Sequence, residues 1–138
     1  MSAAERGTET HADAIARGMA IRTEVLGADY VGRARESAAR GVTAPLQELL
    51  AEYGWGTVWA RDVLSRRERS LLTVALLCAL NRPNELALHL GGALRNGASV
   101  ADLQETLLQV AVYVGIPASL EGFHALEAVV AQQEPKET

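Results

Sequence analysis

The chain has one cysteine, Cys78, and therefore neither an intrachain disulfide nor a CxxC redox pair. Metal ligands are also scarce. Of three histidines only His89 and His124 fall in segments with helical patterning, and neither belongs to an HxxxH or HExxH arrangement. A protein that works without metal or cofactor is the expectation. A basic patch is missing too: the formal charge is −4, and the cluster Arg66, Arg67, Arg69 is broken by Glu68, which argues against a nucleic-acid partner. No charged start followed by an apolar core is present, so no signal peptide is expected. The longest apolar run, residues 71–80, is too short to cross a bilayer, so neither membrane association nor any address but the cytoplasm is expected. Finally, nothing alternates apolar with polar long enough to make a strand, which leaves an all-α chain.

What is present is helical pattern and helix punctuation. At 138 residues, 49% hydrophobic and 22% charged, the chain reads as one soluble domain over residues 17–132, with a loose leader at 1–16 and a polar tail at 133–138. A short helix over 29–39 ends near Gly41. Pro45 opens the next, with Leu46, Leu49, Leu50 and Tyr53 at helical spacing until Gly54 and Gly56 interrupt it around Trp55. Ser65 and Glu68 form a capping-box pattern ahead of residues 71–80, which are apolar on nearly every side and predict a helix buried all round, in the core or against another subunit. The Pro83 helix ends at Asn96-Gly97; Ser99 and Asp102 cap another; Gly115-Ile-Pro117 breaks it before a last helix to about Gln132. Small residues at Gly91, Gly92 and Ala93, and at Ala118, Ser119 and Gly122, predict close helix packing or room for a ligand.

Chemistry concentrates in Asn81-Arg-Pro-Asn-Glu-Leu-Ala-Leu-His89. Glu85 and His89 are four residues apart, within reach on one helix face. Arg82 precedes Pro83 and so stands at the helix start, where exposed N–H groups attract anions. A fixed cation, a carboxylate and an imidazole are what is needed to hold an acid and move a proton. The plainer readings are a carboxylate favouring the helix dipole, a core histidine and an interface arginine.

A series of motifs in one order resembles the carboxymuconolactone decarboxylase family over residues 22–131: Glu24-Val-Leu-Gly27, Glu52-Tyr-Gly-Trp-Gly56 with Trp59, Arg69-Ser-Leu71, Leu80-Asn-Arg-Pro83, Glu85-Leu-x-Leu-His89, Ala93-x-x-Asn-Gly97, Thr106-Leu-Leu-Gln-Val-Ala111 and Tyr113-x-Gly-Ile-Pro-Ala118. The resemblance implies an alkylhydroperoxidase-D-like helical bundle, assembled as a homo-oligomer of trimers or hexamers. The redox members of that fold carry thiols where this chain has Arg82 and Glu85, which excludes peroxidase chemistry here. It further implies a cofactor-free decarboxylation of 4-carboxymuconolactone, a small carboxylated lactone of aromatic-acid breakdown. Arg82 then anchors a carboxylate, His89 handles the proton because imidazole titrates near working pH, and Glu85 orients it or, where burial raises its pKa, itself carries the proton. Trp55 and Trp59 are the implied pocket walls and Tyr113 the implied hydroxyl to the lactone oxygen. The chain departs from the family pattern at Ala87 and Gly91, where members carry basic residues. Fewer cations favour a larger, less anionic lactone or keto acid as the alternative substrate. A non-catalytic oligomeric binding protein on the same fold is the alternative of another class.

Overall fold

The computed structural model describes residues 5–134. Helix and turn account for all the regular structure among them, and no strand occurs among the described residues. None of their helices is long and apolar enough to cross a membrane. The chain forms two compact units, Met1–Ser65 and Arg66–Thr138.

In the amino-terminal unit, α1 spans His11–Leu26, α2 Ala28–Ala39 and α3 Ala44–Leu49. Helix α1 begins at His11, within the stretch read from the sequence as a mobile leader or a frayed helix. Thr10 and Asp13 cap each other reciprocally, with Thr10 Oγ1 accepting from the Asp13 amide at 3.2 Å. An Asp in the third position does the work usually read from Glu or Gln. The expected tail lies largely beyond the described residues, and the last helix runs to Gln133.

Gly54 and Gly56 do not interrupt the third helix. α3 continues directly into a π-helical segment, Leu50–Trp59, in which the wider turn forms i→i+5 bonds; the Thr57 hydroxyl likewise donates five residues back, to the Glu52 carbonyl at 3.0 Å. Gly56 serves packing instead. A Cβ at Gly56 would strike the Ala14 carbonyl, and one at Gly18 would strike the Ala51 carbonyl, so α1 and the π segment cross with their backbones in contact. Arg17 spans the crossing, donating to the Gly56 carbonyl from Nε at 3.0 Å and from Nη2 at 2.6 Å while pairing with Glu9. His11 Nδ1 and Glu52 Oε1 lie 2.7 Å apart at its edge. Because the crossing faces Ala51, Trp55 and Gly56 inward, the expected apolar face of Leu46, Leu49 and Tyr53 is exposed.

The carboxy-terminal unit is a bundle of α4 (Arg66–Ala79), α5 (Pro83–Arg95), α6 (Val100–Tyr113) and α7 (Ile116–Gln133), with α4 and α7 each packed on the other three. Val74, Leu90, Leu103 and Leu107 are fully buried at its centre. The stripe Ala118, Ser119 and Gly122 is packing rather than open space. A Cβ at Gly122 would come within 2.6 Å of Leu107 Cδ2 and 2.9 Å of Cys78 Sγ. Cys78 is buried as expected and donates to the Ala118 carbonyl at 3.2 Å; burial pushes its thiol pKa up. Ser119 donates to the Leu107 carbonyl at 2.7 Å, and Asn96 donates to the buried Ser70 hydroxyl at 2.9 Å.

α4 is not buried all round within the chain. Ser70, Val74 and Cys78 form its inward stripe, whereas Leu72, Leu76 and Leu80 are 53%, 61% and 62% exposed. One helix offers only one stripe to a single bundle, so its remaining leucines have no cover inside this chain.

The backbone crossing makes a sharp prediction for glycine replacements, read by thermal or urea unfolding. Gly18→Ala destabilises by roughly 1–3 kcal/mol or more, because backbone cannot yield as a side chain does. Gly32→Ala, inside α2 with nothing near its Cβ position, stabilises by about 0.5–1 kcal/mol.

Candidate active site

Two helix ends meet at the site. α4 finishes with Asn81 in the left-handed conformation (φ 54°), and the amides of Asn81 and Arg82 return to the carbonyls of Cys78 at 3.2 Å and Leu77 at 3.0 Å. The Arg82 carbonyl then accepts from the Leu86 amide at 2.9 Å and begins α5, with Pro83 at its first position. The Arg82 main chain is thus held from both sides within one residue.

The rotation of α5 is set by Leu86, Leu90 and Ala93, which point into the core. Glu85 and His89 come one residue earlier in the helical repeat and lie along the border of that face, Glu85 exposed and His89 half-buried. At its far end α5 closes in a Schellman turn: Gly97 is left-handed (φ 93°) and the Ala98 amide reaches the Ala93 carbonyl at 2.9 Å. The helix that carries the site is fixed in position at both ends.

The electrostatics differ from the sequence expectation in one respect. His89 does not titrate near working pH: burial lowers its pKa to about 4, and the neighbouring Glu85 charge only partly opposes this. The resting imidazole is neutral at pH 7. Arg82 is exposed, and among the described residues its guanidinium makes no hydrogen bond or ion pair. Its charge is therefore unspent, one turn from Glu85 and two from His89.

The other expected site residues are placed differently. Tyr113 closes α6 and is 79% exposed, on a helix that packs against α4 and α7. Trp55 and Trp59 belong to the amino-terminal unit, where their rings sit 4.8 Å apart at 31°, Trp55 buried and Trp59 half-buried. Of the two family-pattern departures, Ala87 is exposed and Gly91 buried. The nearest atom to a Cβ at Gly91 is Arg95 Nη1 at 3.6 Å, so the guanidinium one turn on already overlies that glycine. An open groove of about 430 Å³ between α6 and α7, lined by Gln104, Phe123, His124 and Glu127 among others, includes neither Arg82, Glu85 nor His89. Its lining is spread over two helices without a compact motif in the sequence. Among the described residues no three His, Cys, Asp or Glu side chains come together as a metal-ligand set.

The sequence profile of the Carboxymuconolactone decarboxylase family matches residues 44–128, which include the whole of this site. The chain belongs to the carboxymuconolactone decarboxylase family. It is 40% identical over 121 residues to a nitrosuccinic acid decarboxylase of Metarhizium robertsii, covering 88% of this chain and 84% of that protein. It is 39% identical over 113 residues to a 4-carboxymuconolactone decarboxylase of Acinetobacter baylyi, covering 82% and 84% respectively. Both of these relatives are decarboxylases, and with the family match they make this member a carboxy-lyase.

The depressed His89 pKa couples the site to stability. An unfolded histidine binds its proton near pH 6.5 and the folded one only near 4. Between those values the unfolded chain holds more protons, so stability falls as pH drops from about 6.5 towards 4 and levels off below. Urea titrations across that window are expected to show this slope in the native protein and a shallower one in His89→Asn.

Proposed function

We propose that the protein removes CO₂ from a small carboxylated lactone without a cofactor, with 4-carboxymuconolactone as the first substrate to try. The observation that carries this reading is the uncommitted Arg82 cation at the braced start of α5, one turn from Glu85 and two from His89. In such a lactone the C–CO₂ bond breaks and its electron pair moves through the conjugated C=C bond onto the lactone carbonyl oxygen. A proton then reaches the carbon beside that carbonyl. The substrate carbonyl is itself the electron sink, so the chemistry requires only orientation, stabilisation of the oxyanion and a proton.

Arg82 holds the carboxylate that stays. Pairing with the one that leaves would stabilise the ground state, not the transition state. His89 supplies the proton. It is neutral at rest, but a bound carboxylate adds to the Glu85 charge and raises the imidazole pKa, so that binding and protonation favour each other. Glu85 orients the ring and supports its positive form. Tyr113, Trp55 and Trp59 remain the substrate-contacting residues of this reading.

A second substrate class is supported by Ala87 and Gly91 together with the nitrosuccinic acid relative. A nitro or keto group beside the departing carboxylate takes up electrons as the lactone does. Larger, less anionic lactones and keto acids belong to the same class. Assay of 4-carboxymuconolactone beside nitrosuccinate and a β-keto acid, following CO₂ release by metal-free enzyme, separates the two. Turnover of the lactone is expected to fall about 10²–10⁴-fold in His89→Ala, while Arg82→Ala lowers kcat/KM about 10–100-fold, mainly through KM. Unchanged turnover in both variants would sink the assignment.

The reading includes a homo-oligomer, trimeric or hexameric, supported by the exposed stripe Leu72, Leu76 and Leu80. A charge in such a stripe opposes its burial. Light scattering on Leu76→Glu is expected to show a smaller particle than the parent protein; an unchanged mass would remove α4 from the interface.

A further inference from the structure

The amino-terminal unit holds a charge that the reaction described above does not use. Arg22, near the end of α1, is 3% exposed. Its guanidinium lies 5.9 Å over the Tyr30 ring of α2, and its Nη1 donates to Gln47 Oε1 of α3 at 2.6 Å. Both neighbours are neutral. Among the described residues no carboxylate comes within ion-pairing distance of Arg22, and its Nε is buried without an acceptor. A desolvated cation without a counter-ion is among the least favourable arrangements a folded chain can hold.

The vacancy in its bonding has a shape. Gln47 occupies Nη1, which leaves the Nε–Nη2 edge, two parallel N–H groups at the spacing of the two oxygens of a carboxylate. A second buried group without a partner belongs to the turn that Arg22 bonds. The Gln47 amide donates to the Thr43 carbonyl at 3.0 Å, which sets Thr43 one turn before Gln47, and the Thr43 hydroxyl oxygen is buried and unbonded. A donor edge and a hydroxyl flank the same turn. A single guanidinium and one hydroxyl suit one planar carboxylate group, alone or at one end of a dicarboxylate, better than a phosphate, which would call for more donors.

We propose that Arg22 and Thr43 form a binding site for a small carboxylate anion in the amino-terminal unit. The site is separate from Arg82 in chemistry and in sequence, and it stands whether or not the decarboxylation reading does. It also explains why a buried arginine persists beside an amide and a ring: the anion, when bound, supplies the charge that the fold leaves out.

The experiment uses the full chain with sodium succinate as the probe and sodium chloride at matched ionic strength as the control. Because Arg82 is itself expected to attract carboxylates, the decisive measurements are made in Arg82→Ala. Its melting temperature is expected to rise saturably with succinate, by roughly 5 °C or more at a large excess over Kd, and calorimetry is expected to give one site per chain. Adding Arg22→Met should abolish both signals while leaving the ligand-free protein at least as stable, since a lone buried charge has been removed. If Arg22→Met does not fold, Thr43→Val decides: succinate should bind several-fold more weakly. Equal responses to succinate and chloride would mean that water alone fills the site and would overturn the proposal, as would succinate binding that survives unchanged in Arg22→Met or Thr43→Val.

Discussion

Where one helix stops and another starts within three residues, the chain must satisfy the last carbonyls of the first and anchor the second with almost no atoms between them. In this protein Asn81 and Arg82 do both. The left-handed Asn81 turns the chain so that two amides fall back on α4, and the Arg82 carbonyl takes the first bond of α5. Everything chemical about the carboxy-terminal unit depends on that corner. It fixes where the Arg82 side chain leaves the backbone, and α5 carries Glu85 and His89 away from it at fixed rise and angle. An asparagine is needed because few other L residues tolerate the left-handed region, and a proline next but one because it enters the new helix without an amide to satisfy.

Much of the helical punctuation was legible in the sequence for the same reason: caps are local and involve few residues. Ser99 and Asp102 cap α6 reciprocally, Gly97 takes the positive φ that closes α5, and α4 begins directly after Ser65. The Thr10–Asp13 box escaped notice because the residues around it carry no sustained apolar period to mark a helix start. The π segment was illegible for a different reason. Its glycines look like helix breakers in one dimension, and only the approach of α1, far away in sequence, shows that they are contact points. For α4 an apolar sequence reports what wants cover, not what supplies it: the bundle covers one stripe, and the branch of the expectation that places the rest against another subunit stays open.

The site shows the same division. Residue types and spacing gave Arg82, Glu85 and His89 their chemical meaning, but spacing carries no dielectric. The shift of His89 to a pKa of about 4 comes from burial in the surrounding bundle, and it leaves the imidazole neutral at rest. Arg22 is the converse case. In the sequence it is one more charge on an amphipathic helix; in the fold it is enclosed by Tyr30 and Gln47 and becomes the most conspicuous electrostatic fact of its unit.

The wide turns of the π segment have a consequence for how this protein can change length. A stretch wound with i→i+5 bonds holds surplus backbone, so loss of one residue between Leu50 and Trp59 can be absorbed by rewinding part of it as ordinary α-helix. The α4–α5 corner has no such slack, since removing any residue there takes away a cap. Insertions and deletions should therefore accumulate in the first place and be purged from the second, which makes the π segment the chain's reserve of evolutionary play.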